Sequence, residues 1–238
     1  MTYRLFTLPN LITCCNLVCG CIATGAAFHG QYQWALLFII LGAVFDFFDG
    51  LTARALSISG PIGKELDSLA DVVTFGLAPS TVIFYLFHEV HYPAQLMPLH
   101  SILPYTAFIM TAFSALRLAK FNLDTRQSTE FIGLPTPANA LFWGSLALGQ
   151  HAFLTSLRFN ALFLLLFMLL FCWLLVAEVP MLSLKVKTWN WRENSWKYIL
   201  LIGALPCLLL GRSAFAAIIL WYIVLSLVRT KMHSYSDR

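Results

Sequence analysis

Residues 46–71 read DFFDGLTARALSISGPIGKELDSLAD, placing Asp46, Asp49, Asp67 and Asp71 in the middle of an otherwise apolar chain. Asp46, Asp49, Gly50 and Ala53 stand at i, i+3, i+4 and i+7, which is one face of a helix: two carboxylates, then two very small residues. Gly63, Asp67 and Asp71 stand at i, i+4 and i+8, again one face. Between them ALSISGPIG (55–63) holds Gly60, Pro61 and Gly63, which predicts a turn. The second helix should therefore return antiparallel to the first, and the two aspartate faces should meet.

Four carboxylates brought together repel one another unless cations lie between them. Oxygen ligands with no sulfur or imidazole nearby favour Mg²⁺ or Mn²⁺, with Ca²⁺ as a third option. Two such ions can stabilise both the attacking and the leaving oxygen of a phosphoryl transfer. The small residues leave room for a phosphate or a flat base against the helix backbone, and Arg54 is placed one turn on to neutralise a phosphate. The stretch alone predicts a metal-dependent enzyme acting on a phosphate ester at a membrane surface. A single aspartate at the end of a span is ordinarily just solvated, but that does not account for two spaced pairs on consecutive helices. A carboxylate relay for cation transport is a rival, and it needs its acids near the bilayer midplane. A prenyltransferase would need DDxxD spacing, whereas here the spacing is D-x2-D and D-x3-D.

Outward from this stretch, the 238 residues are 59% hydrophobic and only 11% charged. Soluble domains carry about 25% charged residues, so this chain lacks the polar surface to cover a globule in water. Its length suits one integral membrane domain. Apolar runs predict eight spans, near 11–29, 33–50, 69–88, 100–119, 138–156, 159–179, 197–211 and 213–229. The last two are short enough together to form a re-entrant hairpin instead. No stretch alternates with period two as a membrane barrel would. MTYRLFTLPN (1–10) reads as an amphipathic segment on the membrane surface and not as a cleavable signal peptide.

With the N-terminus cytoplasmic, 13 of the 15 Lys and Arg residues fall on the inside, leaving only Arg158 and Arg212 outside. The positive-inside rule then puts both termini and residues 46–71 at the cytoplasmic face. The net charge of +4 is spread along membrane edges and points to lipid headgroups, not to nucleic acid. The six cysteines lie in apolar runs without metal-site spacing and read as small membrane-buried residues. His29, His88, His91, His100 and His151 fall at the predicted outer ends of spans, and Trp34, Tyr92, Trp189, Trp191 and Trp196 fit interfacial anchoring. Glu178, before Pro180, is expected to pair with a basic residue of the loop that follows.

Residues 46–71 also fit D-x2-D-G-x2-A-R-x8-G-x3-D-x3-D at every fixed position. This resembles the signature of the CDP-alcohol phosphatidyltransferase family, over a common region of roughly residues 5–180. The resemblance implies a six-helix membrane core, here followed by a loop, two further helices and a basic tail (181–238), usually as a homodimer. It implies transfer of a phosphatidyl group from a CDP-linked lipid to an alcohol, with release of CMP. Asp46, Asp49 and Asp67 would bind one metal, and Asp46, Asp67 and Asp71 a second. Asp71 would be the base, and Gly50, Ala53 and Arg54 would line the CDP pocket.

PNLITCCNLVCG (9–20), DSLADVVTFGLAPS (67–80), LRLAKFN (116–122) and FIGLPTPANA (131–140) resemble the serine-accepting branch. That implies CDP-diacylglycerol and L-serine as substrates, in a multi-pass protein of the bacterial inner membrane. Asn16 resembles a nucleotide-pocket residue, with a helix–helix hydrogen bond as the rival reading. A serine zwitterion needs a cation for its carboxylate, and Arg117, Lys120 and Asn122 are the candidates; ordinary positive flanking is the rival for the two bases. Sister acceptors, glycerol 3-phosphate, inositol phosphate or choline, stay open.

Overall fold

The computed structural model describes residues 5–57, 60–124, 131–182 and 191–236, and these are all-helical apart from one two-residue ladder. The main helices are α1 (Leu8–Phe28), α2 (Tyr32–Ala55), α3 (Pro61–Glu89), α4 (Ile109–Leu123), α5 (Thr136–Gly149), α6 (Ala161–Val176), α7 (Trp191–Leu208) and α8 (Ala214–Ser236). α1, α2, α3 and the stretch Gly211–Met232 are long and apolar enough to cross a membrane, and α6 is a shorter apolar helix. The chain is an integral membrane protein.

Prolines and polar caps set several helix starts. Pro9, Pro61 and Pro137 stand in first turns, where a missing N–H costs nothing, and the Asn160 side chain accepts from Leu162 N and Phe163 N to begin α6. The helices depart from the expected spans where local chemistry intervenes. α3 starts at Pro61, well before residue 69, and its course is interrupted by a π-helical turn, Val72–Leu77, directly after Asp71. The fourth span opens with a 3₁₀ stretch, Leu103–Phe108, around Pro104, so α4 proper begins only at Ile109. The fifth breaks at Gln150 and resumes as the single turn His151–Leu154.

α1 and α2 pack along their lengths as an antiparallel pair, and α3 returns beside both. At the end opposite the aspartates, Tyr32 on α2 donates to Glu89 on α3, and His151 Nε2 stands 3.1 Å from the same carboxylate. Between the two ends runs the main apolar block, where Phe142 and Trp143 of α5 meet Phe167 and Phe171 of α6. The Phe142 and Phe171 rings stack at 4.3 Å.

At the aspartate end the chain is tied by the ladder, in which Phe131–Ile132 pairs antiparallel with Pro180–Met181. Gly133 follows at φ +78, and a Cβ there would stand 2.6 Å from the Leu175 carbonyl oxygen, so this turn requires glycine. The C-terminal helices dock on α5. Ser145 Oγ donates to Arg212 O (2.8 Å) and accepts from Ala216 N (3.1 Å), while Tyr222 OH donates to Leu182 O (3.0 Å).

Candidate active site

The four aspartates converge as the turn at 55–63 predicts. Asp46 and Asp49 stand in the last turns of α2, and Asp67 and Asp71 in the first turns of α3. One carboxylate oxygen from each of Asp46, Asp49 and Asp67 lies within 4.8 Å of the other two. Asp71 stands one turn deeper and outside that group, close enough for the charges of Asp46 and Asp67 to act on it. Asp49 and Asp71 are buried, while Asp46 and Asp67 are half-buried.

α1 supplies a polar contact to each partner helix. Thr13 Oγ1 donates to Asp49 Oδ2 (2.6 Å), and Asn16 Nδ2 donates to Asp71 Oδ1 (3.2 Å). Thr74, in the π turn, donates back to the Asn16 carbonyl (3.0 Å). Asn10, Thr13 and Asn16 recur every three residues, a buried polar stripe in an apolar helix. That periodicity is the sequence signal for the whole arrangement.

Beside Asp49 and Asp67 opens a cavity of about 410 Å³, bounded by Asn10, Thr13, Gly50, Ala53, Gly63 and Lys64 among others. A Cβ added to Gly50 would meet nothing within 4 Å, so the backbone of α2 is bare toward open space. Gly50 and Ala53 are where the spacing puts them. Arg54 is exposed and outside this lining, its Nε donating to the Gly50 carbonyl one turn back (2.9 Å). Asn16 also lies outside the lining, and its structural role is the helix–helix hydrogen bond to Asp71.

The end of α4 is held by its neighbours. Lys120 pairs with Glu178 and donates to Val176 O (3.3 Å), while the loop expected to supply a partner for Glu178 (183–190) lies outside the described residues. Asn122 Nδ2 donates to Ser68 Oγ (2.7 Å), and Lys64 Nζ donates to Asn122 O (2.9 Å). Arg117 is buried, with its guanidinium 5.1 Å from the centre of the Phe121 ring. Lys64 and Ser68 carry no sequence signal beyond their place in the motif's gaps, and only packing gives them this part. The basic residues Arg4, Arg126, Lys185, Lys187 and Arg238, and Trp189, lie outside the described residues.

The donor set fits a hard divalent cation. Three carboxylate oxygens are within reach of one ion, and Asp67 Oδ1 is buried with no hydrogen-bond partner among the described residues. A lone buried carboxylate oxygen is costly unless a charge satisfies it.

Over residues 6–189 the sequence matches the CDP-alcohol phosphatidyltransferase family. The chain belongs to that family. Among curated proteins, this phosphatidyltransferase is similar to the CDP-diacylglycerol–serine O-phosphatidyltransferase of Bacillus subtilis, 38% identical over 130 residues, which are 55% of this chain and 69% of that one. It is similar to the Helicobacter pylori J99 protein of the same name, 34% identical over 139 residues (58% of this chain, 55% of that one). It is also similar to an archaetidylserine synthase of Methanothermobacter thermautotrophicus, 31% identical over 137 residues (56% and 54%). The matched region thus spans about half the length of the latter two relatives.

Proposed function

We propose that this protein transfers the phosphatidyl group of CDP-diacylglycerol to L-serine, giving phosphatidylserine and CMP. The observation that carries the reading is the convergence of Asp46, Asp49 and Asp67 within 4.8 Å beside a small-residue cavity. The names of the similar proteins support serine as the acceptor.

In this reading Asp46, Asp49 and Asp67 hold one Mg²⁺ or Mn²⁺, and Asp46, Asp67 and Asp71 a second. Bound there, the ions supply positive charge to the diphosphate and to the departing phosphate oxygen. Gly50 and Ala53 let the nucleotide approach α2, and Arg54 swings from the Gly50 carbonyl to a phosphate. Asn16 fixes Asp71 through Oδ1, leaving Oδ2 to take the proton of the serine hydroxyl. The serine oxygen then forms its bond to the phosphorus bearing diacylglycerol as the bond from that phosphorus to the bridging oxygen breaks. CMP leaves with the electron pair. Arg117 faces the acceptor carboxylate, while Lys120 and Asn122 anchor the end of α4 through Glu178 and Ser68.

We place the site at the cytoplasmic face of a bacterial inner membrane. Both termini lie inside and eight spans cross: a catalytic core of residues 5–180 and a C-terminal helix pair within 181–238. As the family resemblance implies, the working form is a homodimer. The test is purified protein with CDP-diacylglycerol and labelled L-serine, with Mn²⁺ or with EDTA. Phosphatidylserine and CMP should form together with Mn²⁺ and cease in chelator. Full turnover in EDTA would overturn the metal assignment. Lipid product from glycerol 3-phosphate, inositol phosphate or choline but not serine would overturn the acceptor.

A further inference from the structure

Four polar atoms on α4 and α5 are buried with no hydrogen-bond partner among the described residues: Ser114 Oγ, Arg117 Nε, Thr136 Oγ1 and Asn139 Oδ1. Ser114, Thr136 and Asn139 are fully buried, and Arg117 is 6% exposed. Native proteins leave few such groups unsatisfied. Four on two helices call for a common partner.

They share one locality. Met110, Ser114 and Arg117 stand at i, i+4 and i+7 on a single face of α4. Asn139 Nδ2 reaches Met110 Sδ on that face (3.3 Å), and Thr136 is one turn earlier on α5. Gly76, in the π turn of α3, forms another wall, where a Cβ would stand 3.2 Å from Ser114 Cβ. Asp71 is near enough for its charge to act on Arg117, and so is the Tyr222 phenol of α8. The layer therefore lies near the aspartate proposed as the base, and α8, which packs on α5 beyond the region matched to the family, passes within electrostatic range of it.

The chemistry of these atoms is selective. Arg117 is a permanent cation and only donates, the two hydroxyls donate or accept, and Asn139 Oδ1 only accepts. A phosphorylated acceptor would want further cations, and the nearby Lys120 is already paired with Glu178. A plain alcohol would leave the guanidinium unmatched. A small molecule carrying both a carboxylate and an ammonium uses the whole set.

We propose that this layer is the acceptor pocket, in which Ser114, Thr136 and Asn139 join Arg117 to select a small zwitterionic amino acid. Arg117 takes the carboxylate, while Asn139 Oδ1 and the two hydroxyls take the ammonium, turning the substrate hydroxyl toward Asp71. This rests on the transfer reaction proposed above.

The test compares KM for serine, KM for CDP-diacylglycerol and calorimetric affinity for CDP in the wild type, Thr136→Val, Asn139→Leu and Thr136→Ser. The first two variants keep shape and lose polarity. Each should raise the serine KM about tenfold, the usual cost of one hydrogen bond to a charged group. CDP affinity and the lipid KM should stay at wild-type values, and Thr136→Ser should restore the serine KM. Arg117→Gln should narrow the preference for serine over ethanolamine, which lacks the carboxylate. The proposal is overturned if the wild type transfers serine while Thr136→Val and Asn139→Leu leave its KM unchanged. It is equally overturned if serine KM and CDP affinity worsen together in both, which marks the layer as structural. A wild type that transfers no serine at all overturns the parent reading instead, and the wild-type arm shows that separately.

Discussion

Asp49 and Asp71 differ in what holds them, and in the proposed reading that difference sets a ligand of the first metal apart from the base. Asp49 faces the cavity, with Thr13 donating to one oxygen; Asp71 sits a turn deeper, held by Asn16 and close to Arg117. Asp71→Asn should abolish transfer yet leave CDP-diacylglycerol binding largely intact, because Asp46, Asp49 and Asp67 remain as one ligand set. Asp49→Asn should weaken binding together with turnover. Calorimetry with CDP-diacylglycerol at fixed Mn²⁺ decides it, and equal loss of affinity in the two variants would make Asp71 chiefly a metal ligand. The four acids were legible because spacing alone puts them on two faces that a Gly-Pro turn folds together. Lys120 was not, since the Glu178 that engages it is 58 residues away and only the packing of α4 against α6 brings them into contact. Arg54 was legible as a residue of the motif, but its resting contact with its own helix was not.

At the scale of elements, the site depends on how closely α1 and α2 approach the π turn of α3. Thr74 is wedged between Gly20 and Gly42: a Cβ on Gly20 would lie 2.8 Å from Thr74 Cα, and one on Gly42 would lie 2.5 Å from Thr74 Cγ2. The wedge seats the Thr74 hydroxyl on the Asn16 carbonyl, and Asn16 in turn holds Asp71. Gly20→Ala must push the turn away from α1 against backbone, not against a flexible side chain. Its cost should be about 1–3 kcal/mol, as for other overpacked sites. Gly25, on the same helix, has nothing within 4 Å of its would-be Cβ, so Gly25→Ala should hold or raise stability through helix propensity. Thermal unfolding in detergent and the transfer rate should both fall for Gly20→Ala and not for Gly25→Ala. Equal behaviour of the two would show that the wedge does not position Asp71. The sequence displayed small residues in α1 without saying which one meets backbone. Hydrophobic period predicts that a helix runs past Asp71, but the wider π turn follows from packing, which that period does not encode.

Across the whole molecule the charge asymmetry has a structural counterpart. Arg54, Lys64, Arg117 and Lys120 stand toward the aspartate end of α2, α3 and α4. The two exceptions gather at the other end. Arg212 accepts from Ser145 near the Gly149 end of α5, and Arg158 lies in the link from that same end to α6. Opposite ends of one bundle thus carry opposite shares of basic residues, which is the pattern that sets orientation in a membrane. In a background with the six native cysteines replaced, Ser57→Cys should react with an impermeant thiol reagent only from the cytoplasm, and Arg158→Cys only from outside. Both labels are needed, because a single one cannot separate a buried site from one on the wrong side. Labelling of Ser57→Cys from outside in intact cells would invert the molecule. It would also strand the proposed reaction, since its acceptor serine and its product CMP are charged, water-soluble molecules of the cytosol, and the cavity beside Asp49 and Asp67 would then open away from both.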